Sequence, residues 1–128
     1  ISELKKKNGG FADMDIDEIV AGLVLAKEKY QEIKDKGVDI IACMAVNDPH
    51  VMRAWALANA VEEKIDMLSD SDCSVSESLG LDMNFGKVMG RRSKRFAMVV
   101  EDNVITKSFV EEVGAFEVST AENILKNL

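Results

Sequence analysis

Four carboxylates crowd together just after a glycine turn: Asp13, Asp15, Asp17 and Glu18 follow Asn8-Gly9-Gly10. Such a group can hold a hard cation or cap a helix. A calcium loop counted from Asp13 needs Gly at its sixth position and Glu at its twelfth, and those positions are Glu18 and Val24. Capping fits better, because Asp15 with Glu18 three residues on is a capping box in outline, with Asp in place of Ser or Thr. The two cysteines, Cys43 and Cys73, are thirty residues apart and form no metal-type pair. Cys43 falls inside an apolar run and reads as a core residue. Cys73 follows the acidic turn Ser69-Asp70-Ser71-Asp72 at a helix start, where a thiol would be partly exposed. Arg91-Arg92-Ser93-Lys94-Arg95 is the one basic cluster, either a solvated loop or a contact for an acidic partner. His50 is alone, follows Pro49, and reads as a surface residue. Nothing in these groupings calls for a cofactor or a metal.

The elements that would position these residues can be read in order. Residues 1–8 form a polar tail or edge segment, and 9–128 form one domain. A helix begins near Asp15, with Ile16, Ile19, Val20, Leu23, Tyr30 and Ile33 along one face, and Gly37 ends it. Its acidic start and lysine-rich second half both suit the helix macrodipole. The run Ile40–Val46 predicts a strand buried on both faces. Pro49 suits the first turn of a helix over 49–60 that carries Val51, Met52, Trp55 and Ala56. A short strand at 64–68, a short helix near 73–79 closed by Gly80, and a loop through Phe85-Gly86 and Met89-Gly90 follow. Two apolar runs, 95–101 and 104–110, meet at Asp102-Asn103 as a hairpin. Ser119 with Glu122 three on predicts a second capping box, for a last helix over 119–127. The order is α/β with a mixed sheet, but no buried strand precedes the first helix.

The totals narrow the classes. A chain of 128 residues with 47% hydrophobic content supports one core-bearing domain. A net charge of −7 disfavours nucleic acid and anionic lipid as partners. No apolar run is long enough to span a membrane, and the first residues lack the basic-then-apolar order of a secretory signal. The chain opens on Ile1 rather than Met, which reads as a processed or incomplete product. Two thiols outside any pairing pattern in an acidic chain point to a reducing intracellular compartment, cytosol or organelle.

Three separated stretches then carry a resemblance: residues 36–55, Ser78-Leu79-Gly80-Leu81-Asp82, and 92–102 with its Arg95-Phe96, followed by the tail 119–125. In order and spacing the chain resembles the type II peroxiredoxins of the redoxin family, enzymes that reduce peroxides, from about residue 9 to the end. The resemblance implies a thioredoxin-like three-layer α/β fold with a mixed central sheet, its N-terminal strands missing or altered. The family's active-site string is Pro-Gly-Ala-Phe-Thr-Pro-x-Cys. Laid on this chain through Phe11, with a three-residue extension between Leu23 and Lys36, it puts Asn8 at the first proline and Ala12 at the threonine. Asp13 takes the second proline's place and Asp15 the cysteine's, while the arginine is kept as Arg95. Some type II relatives place a resolving cysteine where Cys43 stands. Human-type relatives carry one near Ser119.

The replacement has a physical meaning. A helix N-terminus and a nearby arginine lower a thiol's pKa so that it can attack peroxide. A carboxylate at Asp15 would be stabilised by the same field, by ~0.5–2 kcal/mol as a cap, but it has no sulfur to oxidise. Ala12, Asp15 and Arg95 are therefore expected to be a vestigial site with no catalytic residue. The expected function is a catalytically inactive structural or protein-interaction subunit, docked on a protein partner that covers or completes its sheet. Dimerisation through the active-site loops is a further expectation from the resemblance. The alternative is a thiol-dependent peroxidase or redox protein using Cys43 or Cys73.

Overall fold

The computed structural model describes residues 23–128. The boundary expected at residue 8, the helix start at Asp15, and the positions Ala12 and Asp15 lie outside the described residues. Residues 23–28 are helical, and after a turn at Lys29 the helix resumes as α1 (Tyr30–Asp35). Leu23, Ala26 and Ile33 are buried along its inner face, the spacing of three and seven that one face of a helix requires. Gly37 takes φ +92° and its N–H returns to the Lys34 carbonyl, so it closes the helix as expected.

Strand β1 (Ala42–Ala45) pairs in parallel with β2 (Asp66–Ser69), Cys43 opposite Met67. The sequence predicted a strand buried on both faces, and this is corrected. Cys43 and Ala45 point inward while Ala42, and Ile40 just before the strand, are exposed. Between the two strands runs α2 (Pro49–Ala58), with Pro49 at its first turn and Asp48 as N-cap, its carboxylate accepting from Val51 N–H at 2.9 Å. Met52 and Ala56 face the core and Trp55 packs partly against it, but Val51 is exposed. Leu23, Ala26, Cys43, Ala56, Val61 and Ile65 form the core cluster, with Ile41, Trp55 and Met67 packed on it.

Helix α3 (Ser74–Ser78) follows, closed by Gly80 at φ +69°. The stretch predicted as loop carries a small antiparallel pair, β3 (Asp82–Asn84) with β4 (Arg91–Ser93). Arg91 clamps it by donating to the Asp82 carboxylate. The hairpin of β5 (Phe96–Glu101) and β6 (Val104–Val110) is antiparallel, as the two apolar runs predicted. Asp102 and Asn103 both take positive φ, 51° and 65°, which a two-residue turn of the I′ type demands. Helix α4 (Ala121–Lys126) ends the chain. Among the described residues the strands form three two-stranded ladders, one parallel and two antiparallel, and no ladder joins them into the single mixed sheet that was expected. Among the described residues, no helix is long and apolar enough to cross a membrane.

Candidate functional site

Arg95 sits at the open end of the hairpin. Its carbonyl accepts from the N–H of Glu111, the residue directly after β6, at 3.0 Å. The chain thus brings a cation and a carboxylate across from each other at the base of the two strands. The Arg95 side chain is only 6% exposed. Its guanidinium carbon lies 3.3 Å from the centre of the Phe116 ring, a stacked cation–π contact. Its Nε donates to the hydroxyl of Ser119 at 3.1 Å.

That hydroxyl is a relay. Ser119 is fully buried, and its Oγ–H donates to Glu111 Oε2 at 2.7 Å while it accepts from Arg95. The Glu111 carboxylate also accepts from the backbone N–H groups of Glu117 (2.7 Å), Ser119 (2.9 Å) and Val118 (3.2 Å). The segment between β6 and α4 is wound around this one side chain. Burial pushes the Glu111 carboxyl up, but the bonds from Ser119, Glu117 and Val118 outweigh it and hold the group below the usual glutamate range. A carboxylate at 6% exposure stays charged because its lone pairs are filled by donors.

This arrangement corrects the role expected for Ser119. The N-cap of α4 is Thr120, whose hydroxyl accepts from Asn123 N–H at 3.1 Å. With the cap one residue later, Ser119 turns inward to Glu111. Neither Glu111, Phe116 nor the relay was predicted. A carboxylate after a strand carries no mark of burial in the sequence, and its partners lie six to eight residues further on.

The thiols stand elsewhere in the fold. Cys43 is 2% exposed in the core cluster, and this bears out its reading as a core residue. Cys73 was expected to be partly exposed but is 5% exposed. The reason lies in the turn before α3. The Asp70 carboxylate accepts from Val75 N–H (3.0 Å), Ser76 N–H (2.8 Å) and Ser76 Oγ (2.8 Å), and the Asp70 carbonyl accepts from Cys73 N–H at 2.9 Å. The turn folds over on itself and takes Cys73 inside at φ 64°, a left-handed backbone for a residue with a Cβ. Burial pushes the Cys73 thiol up, and the nearby Asp70 charge pushes it further. No disulfide joins the two cysteines.

The basic cluster is neither a free solvated loop nor an open patch. Arg91 is engaged with Asp82 and Glu77. Arg92 donates to Asn47 Oδ1 (3.1 Å), Val46 O (3.3 Å) and Met89 O (3.0 Å), so it ties β4 to the end of β1. His50 is exposed, as expected. Among the described residues, no group of three or more His, Cys, Asp or Glu is placed to hold a metal ion.

Comparison with known proteins agrees with this architecture. The redoxin family profile matches residues 23–125. Peroxiredoxin-2B of Arabidopsis thaliana is 41% identical over 102 residues, covering 79% of this chain and 63% of the relative. The chloroplastic peroxiredoxin-2E of the same plant is 35% identical over 123 residues, 94% of this chain and 51% of the relative. Among solved structures, reduced Prx3 of Vibrio vulnificus in complex with H2O2 superposes with a TM-score of 0.80 at 43% identity, covering 82% of this chain and 66% of that one. The chain thus spans between about half and two thirds of the length of these relatives. With its thioredoxin-like α/β fold, the chain belongs to the redoxin family.

Proposed function

We propose that the chain is a thiol-dependent peroxidase or redox protein of the peroxiredoxin kind, using Cys43 or Cys73. The observation that carries the reading is Arg95: a buried, stacked and hydrogen-bonded guanidinium in a redoxin chain, at the position the resemblance gives to the peroxide-site arginine. The Vibrio relative was solved with H2O2 bound, which supports peroxide as the substrate class. In the reaction, a cysteine thiolate attacks one peroxide oxygen. An S–O bond forms, the O–O bond breaks, and the second oxygen leaves with a proton as water or alcohol. An external dithiol then reduces the sulfenic acid. Its first sulfur displaces water to give a mixed disulfide, and its second closes the external disulfide and frees the cysteine. Both thiols must be uncovered by local opening before sulfur meets peroxide, so turnover is slow.

A second reading is favoured by a specific observation. Both cysteines of the sequence are buried, and the resemblance lays Asp15 on the position of the motif's nucleophile. On that reading the domain is an inactive structural or interaction subunit, and its partner is a protein that covers the exposed Val100, Val104 and Ile105 at the hairpin end. Both readings place the protein in a reducing intracellular compartment, cytosol or organelle, and the chloroplastic relative supports an organelle as one setting. Peroxide consumption with dithiothreitol as reductant separates them. Turnover that disappears in Cys43→Ser or Cys73→Ser supports the peroxidase. A flat trace, with the protein migrating as part of a larger complex, supports the subunit.

A further inference from the structure

Resting on the peroxidase reading of the Arg95 site, we propose that Glu111 is a positioning residue that sets the guanidinium of Arg95 through the hydroxyl of Ser119. A hydroxyl has a single proton to give. Here it goes to Glu111 Oε2 at 2.7 Å, which turns an oxygen lone pair toward Arg95 Nε at 3.1 Å. The direction of the hydroxyl is thus dictated by the carboxylate, and the direction of the guanidinium by the hydroxyl.

Three backbone N–H groups also solvate the carboxylate and fix it in place. The fourth bond, from the Ser119 side chain, is the one that carries its position to the cation. Phe116 covers one face of the guanidinium at 3.3 Å and blocks rotation out of that plane. The bond from Glu111 N–H to the Arg95 carbonyl fixes the base of the same side chain. One residue therefore holds Arg95 at both ends, backbone and Nε.

The test uses the full chain labelled with nitrogen-15, with the Arg95 Nε–H signal identified by its loss in Arg95→Lys. In the wild type this proton should exchange slowly. Ser119→Ala and Glu111→Gln should each shift the signal and speed its exchange about tenfold, the weight of one hydrogen bond. Each should lower kcat/KM for H2O2 by a similar factor while leaving KM for dithiothreitol unchanged. The double variant should be no worse than either single one, because the two residues form one relay. An unchanged Arg95 signal in the single variants, or losses that add in the double variant, would overturn the proposal. Should Glu111→Gln lose the near-ultraviolet signal of a folded Trp55 environment, Glu111→Asp is read in the same way. A wild type that consumes no peroxide sinks the peroxidase reading, while the Nε signal still decides whether Glu111 positions Arg95.

Discussion

Glu111 and Asp70 are buried carboxylates that keep their charge by collecting donors, Glu111 from the segment before α4 and Asp70 from the first turn of α3. Burial pushes Asp70 up too, but its bonds from Ser76 and Val75 hold it below the ordinary value of 3.8, as Glu111 is held below 4.5. A carboxyl whose pKa is lower folded than unfolded adds stability that is present above the unfolded value and lost as pH falls through the folded one. The urea midpoint should therefore hold from pH 7 to the ordinary carboxylate range and drop below it. In Glu111→Gln that drop should be shallower, and the variant should lose about 1–3 kcal/mol at pH 7. An identical acid slope in both proteins would contradict the linkage. Cys73 shifts the other way, above its ordinary 9.0. Its labelling by a disulfide reagent should rise about tenfold per pH unit from 7 to 9, and a plateau near neutrality would show the thiol to be activated after all. At this scale the sequence was legible where a residue acts within one turn. Pro49 declares a helix start because its ring suits the first turn, and the Asp48 cap finds its partner, Val51 N–H, three residues away. Ser119 was misread because the bonds that decide its orientation come from Arg95 and Glu111, 24 and 8 residues earlier.

Among the elements, the hairpin is the most fully specified. Asp102 and Asn103 both tolerate left-handed backbone, and the two apolar runs pair from Phe96–Val110 to Glu101–Val104 with one shift of register between Val99 and Val100. Replacing Asn103 by Gly should leave the thermal midpoint near the wild-type value, while Asn103→Val should cost about 1–3 kcal/mol, since a β-branched side chain resists φ 65°. Equal midpoints for the two variants would mean that the turn backbone is not the constraint. Leu23, 1% exposed, ties the first helix to the core made by Cys43, Ala56, Val61 and Ile65. Leu23→Ala should lower stability by about 2–5 kcal/mol in a denaturant titration. The small β3–β4 pair was invisible beforehand because Arg91-Arg92-Ser93 has no apolar alternation, and its pairing depends on the Arg91–Asp82 clamp. The strand at 40–46 was legible as a strand. Its second buried face was not, because a continuous apolar run does not reveal which residues will be left at an edge.

For the whole molecule, fold class and family were legible because several stretches agreed in order and spacing, and the redoxin match over residues 23–125 agrees with them. The arginine of the candidate site was legible for the same reason. Its surroundings were not, since Glu111, Phe116 and Ser119 meet Arg95 only once the hairpin has closed. Function at this scale turns on whether a buried thiol can still meet peroxide. The most direct measurement is H2O2 consumption by the full chain with dithiothreitol, run alongside Cys43→Ser, Cys73→Ser and the double variant. Slow turnover in the wild type, abolished in the double variant and in one of the single ones, is the predicted result. A wild-type rate no faster than that of the double variant would contradict it.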